Sequence, residues 1–502
     1  MAIVHPGAPE TGPDAHPFGP DAATHGSPGA RASADDPGGD SDHLDDGHGH
    51  LDGAAASVDG HRTGRRVHVE RYADGDVVGS GADAVGPVGT PPAPPSAPAW
   101  SWTPPAAPAG LPASGAWQPG DPIGNRRFLQ LTERGFALEG GGSLRDVVVA
   151  YETWGTLADD ASNAVLVCHA LTGDAHAAGP MTPAHASPGW WDDFIGPGRP
   201  IDTDRYFVVC VNVLGGCQGS TGPSSVDPAT GERYGPRFPV VSVRDMVRCQ
   251  SRLAEHLGIG RWLSVVGGSM GGMQVLEWAV MMPDRVRSIA AMATATAASA
   301  QQIAWSEVGR LAICGDPGWR DGDYYDAAPG EGPHRGLALA RRIGQIHYRS
   351  EQEFAGRFGR ESVEPLGRFA PWQRFQVESY LDHHGWKLTR RFDANSYLVL
   401  NKAMDLHDIG RGRGGARAAL ARVRVPVMTV AVDSDFLYPP YQQYEIRDTL
   451  RSLGVPVTHL DVHSDAGHDG FLVEDDAIGP HLASFLERAA EADGGDGTGR
   501  HT

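Results

Sequence analysis

Trp262-Leu263-Ser264-Val265-Val266-Gly267-Gly268-Ser269-Met270-Gly271-Gly272-Met273-Gln274 is the stretch on which the reading of this chain turns. A short apolar run ends in a burst of glycine around one serine, and an amphipathic segment continues to Met282. That order spells a buried strand, a sharp turn and a helix. Within the turn, Gly267-Gly268-Ser269-Met270-Gly271 fits G-x-S-x-G, the pattern that holds a serine on a strained strand-to-helix corner. The glycines have a steric reason. A serine projecting from a sheet takes an unfavourable backbone conformation, and side chains at 267 and 271 would strike the crossing strand and helix. The same corner aims the Met270 N–H, at the positive end of the new helix, at any oxyanion formed when Ser269 attacks.

Three fixed positions in five are a weak signal, and a glycine-rich turn with an incidental serine would look alike. The surroundings add weight. Strand-like runs occupy 146–155, 164–168, 206–211, 288–292, 427–432 and 457–462. Those at 164–168 and 206–211 are continuously apolar, as strands buried on both faces of a parallel sheet are. Helical patterns fill 243–256 and 480–491, and strands alternating with helices predict an α/β fold with a mostly parallel, doubly wound sheet. From 294 to 422 the alternation stops. Helical stretches at 300–313, 336–348, 372–383 and 397–406 predict an inserted helical cap, or lid. It would exclude water and read a substrate, or mediate dimerisation, or both.

The 502 residues are not uniform. Up to about residue 120, Pro, Gly, Ala, Asp and His dominate, and 15 acidic against 5 basic residues supply half of the net charge of −20. Such a segment cannot bury a core. The expected division is a disordered extension over 1–122, a core in two parts (123–293 and 423–492), the cap at 294–422 between them, and a disordered tail at 493–502. The run from His43 to His50 has metal-ligand residue types but no rigid frame, so no metal is expected there. The acidic balance argues against nucleic acid. With no long apolar run and no secretory start, no membrane association is expected. Five scattered cysteines (Cys168, Cys210, Cys217, Cys249 and Cys314) fit a reduced, cytoplasmic compartment.

A serine that transfers acyl groups needs a base, and the base an orienting acid. Asp433-Ser434-Asp435 follows the strand at 427–432, and His463 to His468 follows the strand at 457–462. Both lie where open α/β sheets place their sites, beyond the carboxyl ends of strands. The chain order Ser269, Asp435, His468 is that of the α/β-hydrolases. Asp433 competes with Asp435, which directly precedes Phe436-Leu437-Tyr438-Pro439-Pro440. His463 competes with His468, which alone has the Gly-His-Asp-Gly setting. A second oxyanion donor belongs in the loop His169 to His176, with Leu171 as candidate beside Met270. Gly410-Arg411-Gly412-Arg413-Gly414-Gly415 reads either as a phosphate-binding loop or as a flexible return to the sheet.

Taken together, Cys168-His169-Ala170-Leu171-Thr172-Gly173, the run from Asn212 to Pro223, the serine corner, and Gly467-His468-Asp469-Gly470-Phe471-Leu472 resemble the homoserine O-acetyltransferases, over about 125–490. The resemblance implies an α/β-hydrolase fold, and a triad of Ser269, Asp435 and His468. It implies a substrate helix around 340–350 with Arg341 and Tyr348 at binding positions, and Asp469 meeting the substrate amine. The doubled Arg341-Arg342 leaves open which arginine faces the site. It implies L-homoserine and acetyl-CoA as partners, acetyl-CoA being a co-substrate with no further cofactor, and a homodimer. Relatives using succinyl-CoA carry arginine at the position of Leu437, so leucine implies acetyl. Succinyl transfer, transfer to serine, or ester hydrolysis are the alternatives.

Overall fold

The computed structural model describes residues 107–131, 135–365 and 372–494. Eight strands form its main sheet: β1 (Arg127–Gln130), β2 (Val148–Trp154), β3 (Ala164–Cys168), β4 (Phe207–Val211), β5 (Ser264–Gly268), β6 (Ile289–Met292), β7 (Val427–Val432) and β8 (Val457–Val462). Their order is β1-β2-β4-β3-β5-β6-β7-β8. Only β2 runs against its neighbours; β3 to β8 are mutually parallel. Every residue of β3, β4, β5, β6 and β7 is buried, which is why β3 and β4 read as unbroken apolar runs. Alternate residues feed opposite faces: Leu166, Val265 and Ile289 join one core, Val165, Val266 and Ala290 the other. β8 differs, being an edge strand that is mostly half-exposed.

Helix α1 (Val243–His256) starts at a capping box in which Ser242 accepts from the Asp245 N–H and the Asp245 carboxylate accepts from the Ser242 N–H. α2 (Met270–Met281) follows β5 directly. Between β6 and β7 lie α3 (Ala300–Cys314), α4 (His334–Tyr348), α5 (Glu351–Phe358), α6 (Gln376–Thr389), α7 (Ala394–Asp405) and α8 (Ala416–Leu420), the expected helical insertion. α9 (Pro440–Ser452), α10 (Gly470–Val473) and α11 (Asp475–Gly494) complete the chain.

Two differences from the sequence reading have physical causes, and the contacts of a third segment choose between its two readings. Residues 107–122, placed in the extension, pack onto the core. Leu111 and Ala116 are buried, the Trp117 N–H donates to Cys217 (2.9 Å), and Ser114 Oγ donates to Asp393 (2.7 Å). A Pro/Ala/Gly segment that drapes over a surface carries no periodicity to betray it. The rest of the extension, with the His43–His50 run, and most of the tail at 493–502 lie outside the described residues. The last helix begins at Asp475, before Pro480, because fully buried Ile478 anchors the earlier turn. Finally, Arg413 reaches buried Glu277 (2.8 Å), and Arg411, at the surface, pairs with Glu139 (3.0 Å). The glycine-rich run is therefore a return to the sheet, with its arginines already engaged.

Candidate active site

Ser269 sits between β5 and α2 with φ 57° and ψ −126°, a backbone region that residues with a Cβ rarely enter. Hydrogen bonds on both sides hold it there. Its N–H donates to Met292 (3.0 Å), and its carbonyl accepts from Thr294 Oγ1 (2.9 Å). A Cβ on Gly267 would lie 2.7 Å from the Cys168 carbonyl, and one on Gly271 would drive into the same oxygen. The two glycines therefore let the corner pass under the end of β3.

Asp435 lies in the loop after β7, almost wholly buried. Its Oδ1 accepts from the N–H groups of Leu437 (2.9 Å) and Tyr438 (2.8 Å), and its Oδ2 stands 2.8 Å from His468 Nδ1. His468 is buried in the loop after β8, its ring stacked on Tyr438 at 5.0 Å. The competing pair resolves itself: His463 Nδ1 meets Asp433 Oδ2 (2.9 Å) at the surface, each satisfying the other. Ser269 and His468 line one cavity of about 110 Å³, although no hydrogen bond joins hydroxyl to ring. Such contacts are often long before substrate binds.

Leu171, Arg341, Tyr348, Leu437 and Asp469 line the same cavity. Leu171 follows β3 in the turn beside the corner, and Met270, as first residue of α2, has an N–H with no carbonyl partner inside the helix. Arg341 reaches Thr172 Oγ1 (3.3 Å) and lies over the Tyr348 ring. Arg342 turns away, paired with Asp382 (2.6 Å) and set over Trp386, so of the two arginines it is Arg341 that lines the cavity. Burial raises the Asp469 carboxyl above its ordinary value, against the pull of Arg349 and Arg341. The Arg349 guanidinium lies 3.1 Å from it, a pairing that sequence reading missed. Leu437 packs in an apolar cluster with Trp305, Met404 and Tyr438. Trp305 and Met404 come from the cap, where helical spacing identifies an apolar face without saying what it covers. His347, also on the cavity wall, is held down to about 3 by burial with His468 and Arg341 beside it, and is therefore neutral.

Among the described residues, Glu152, His176 and His185 form a buried group of metal-ligand types. The two rings stack at 3.7 Å with planes 6° apart, each facing its own Glu152 oxygen (3.0 and 3.1 Å). Ring nitrogens bind an ion in the ring plane, so planes this close and parallel cannot converge on one ion. Burial lowers both imidazoles, but the hydrogen bond to Glu152 leaves His176 above its ordinary value while His185 falls to about 4. The group reads as a buried carboxylate flanked by two stacked rings, one of them hydrogen-bonded to it.

The sheet order, the strained serine and the loop-borne acid and histidine define a class. Consistently, the family model described as alpha/beta hydrolase fold matches residues 163–475. The homoserine O-acetyltransferase of Thermobifida fusca (strain YX) is 54% identical over 376 residues, which is 75% of this chain and 97% of that protein. The crystal structure of homoserine O-acetyltransferase from Bacillus anthracis matches with a TM-score of 0.67 at 30% identity, over 72% of this chain and 98% of that one. That of esterase E22 matches with a TM-score of 0.66 at 30% identity, over 72% and 99%. The chain belongs to the homoserine O-acetyltransferase family, acyltransferases built on the α/β-hydrolase fold. Among the described residues no helix is long and apolar enough to cross a membrane.

Proposed function

We propose that this chain moves acetyl from acetyl-CoA to the hydroxyl of L-homoserine through an acetyl-Ser269 intermediate, with Ser269, His468 and Asp435 as triad. The observation that carries the reading is the sharing of one cavity by Ser269, the Asp435-bound His468, Arg341 and Asp469. His468 Nε2 takes the Ser269 proton as Oγ attacks the thioester carbonyl. The oxyanion rests on the Leu171 and Met270 N–H groups, each worth on the order of 3–4 kcal/mol. The intermediate collapses, the carbon–sulfur bond breaks, and His468 returns the proton to the departing CoA sulfur. Homoserine then binds with its carboxylate on Arg341 and its ammonium on Asp469, which it shares with Arg349. Its hydroxyl gives a proton to His468 and attacks the acetyl carbon; Ser269 leaves and is reprotonated.

Mass spectrometry after mixing with acetyl-CoA alone tests this. One acetyl group is expected on the peptide containing Ser269, discharged on adding homoserine. A peptide of unchanged mass sinks the reading. Water as acceptor is the second reading, raised by the structural likeness to esterase E22 at 30% identity but outweighed by homoserine O-acetyltransferase relatives at about 50%. It leaves Arg341 and Asp469 without a task, and discharge at the same rate with and without homoserine would favour it.

Acetyl in place of succinyl is supported by the apolar setting of Leu437, which offers a succinyl carboxylate no cation and would leave it desolvated. Leu437→Arg is therefore expected to raise the succinyl/acetyl ratio of kcat/KM by about tenfold or more. An unchanged ratio removes the argument. A homodimer through the cap belongs to the same proposal, supported by exposed Val308 and Leu311 on α3 and Leu339 and Ile346 on α4. The sedimentation mass of the intact chain tests it. Cytoplasmic location is supported by five free cysteines.

A further inference from the structure

We infer that Gln274 is a positioning residue that locks the two oxyanion donors into register, an inference that rests on the acetyl-serine reading above. The residue lies on α2, fully buried, one turn beyond Met270. Its Nε2 donates to two backbone carbonyls, His169 (3.2 Å) and Met270 (3.2 Å). Met270 carries one proposed donor, and His169 stands two residues before Leu171, which carries the other. One side-chain amide thus ties together the two segments whose N–H groups must converge on a single oxygen.

The amide is itself held. Its Oε1 accepts from Gln250 Nε2 (2.6 Å) on α1, and Gln250 Oε1 accepts from Trp278 Nε1 (2.7 Å) on α2. These three polar side chains are fully buried and mutually satisfied, and the two carbonyls at Nε2 by themselves require the donor end of the amide there. The Leu171 loop has further anchors. His169, kept neutral chiefly by burial, accepts from the Val213 N–H at Nε2 (3.1 Å) and bonds the Ala170 carbonyl through Nδ1 (2.8 Å). Arg391 donates to the Thr172 carbonyl (2.7 Å). These fix the loop to β4 and the cap; Gln274 ties it to the serine corner.

An oxyanion hole stabilises only if its donors are in place before charge develops, so a small loss of register costs rate without costing substrate affinity. The test compares the full chain with Gln274→Leu, Gln274→Glu and Gln250→Leu. Each is quenched at short times after mixing with acetyl-CoA alone, and the acetylated Ser269 peptide is quantified. Wild type is expected to label, and both Gln274 variants to label about 30-fold more slowly with homoserine KM within about twofold. Gln250→Leu leaves both donated bonds in place and is expected to slow labelling less than about threefold. A merely structural role would make the Gln250 and Gln274 losses alike, and that result overturns the inference. If Gln274→Leu does not fold, the isosteric Gln274→Glu decides. A labelled wild type with an equally fast Gln274→Glu overturns the inference alone; an unlabelled wild type overturns it together with the acetyl-serine reading.

Discussion

Replacing Ser269 with glycine is expected to raise the stability of the fold by about 1 kcal/mol while lowering acetyl transfer about a million-fold. The opposite signs come from one feature. At φ 57° and ψ −126°, Ser269 holds a backbone conformation that costs a residue with a Cβ on the order of 1–3 kcal/mol. Glycine enters it freely, and gives back less than about 1 kcal/mol through the greater entropy of its unfolded chain. No side-chain hydrogen bond of Ser269 stabilises the fold in compensation; the bonds that hold the corner run through its N–H and carbonyl and survive the change. The rate loss follows on the acetyl-serine reading, in which the substitution removes the acyl carrier whatever else in the site stays intact. Urea unfolding and an acetyl-transfer assay on the same preparation check both halves. A variant that is less stable and still transfers acetyl would make Ser269 a structural residue and reopen the search for the nucleophile.

The sequence was readable where the physics is local. The strand, glycine corner and helix from 262 to 282 occur as expected because a buried parallel strand and a helix each impose their own period on consecutive residues. The cap was legible as helices for the same reason, yet its contribution of Trp305 and Met404 to the cavity was not, since a helix pattern does not name its partner. Pairings between distant residues were likewise closed to inspection. Asp433 and Asp435 stand two residues apart; the flanking sequence favours Asp435 and His468, but that Asp433 pairs with His463 at the surface is visible only in the fold. Arg349 reaching Asp469, and the arginines of 410–415 turning to Glu139 and Glu277, are of this kind. So is the seating of 107–122, whose burial depends on a surface built by residues a hundred or more positions away.

Asp435→Asn is expected to fold as the parent does and to lose about 10⁴-fold in kcat. The carboxylate accepts three hydrogen bonds, from the Leu437 and Tyr438 N–H groups at Oδ1 and from His468 at Oδ2. An asparagine has one oxygen to offer. Were its amide nitrogen to replace Oδ1, it would oppose two backbone donors at once. The oxygen is therefore kept at Oδ1, and the NH₂ takes the place of Oδ2 facing the imidazole. Facing a donor, His468 Nδ1 must become the acceptor, which moves the ring proton to Nε2, where the Ser269 proton has to go. The base is blocked by tautomer while every backbone bond of the loop survives, so the loss falls on kcat and leaves the thermal midpoint nearly unmoved. Asp433→Asn makes the same chemical change at the exposed His463 pair and is expected to stay within about twofold of the parent. Full activity in Asp435→Asn alongside a large loss in Asp433→Asn would transfer the acid's role to Asp433, and with it the choice of histidine.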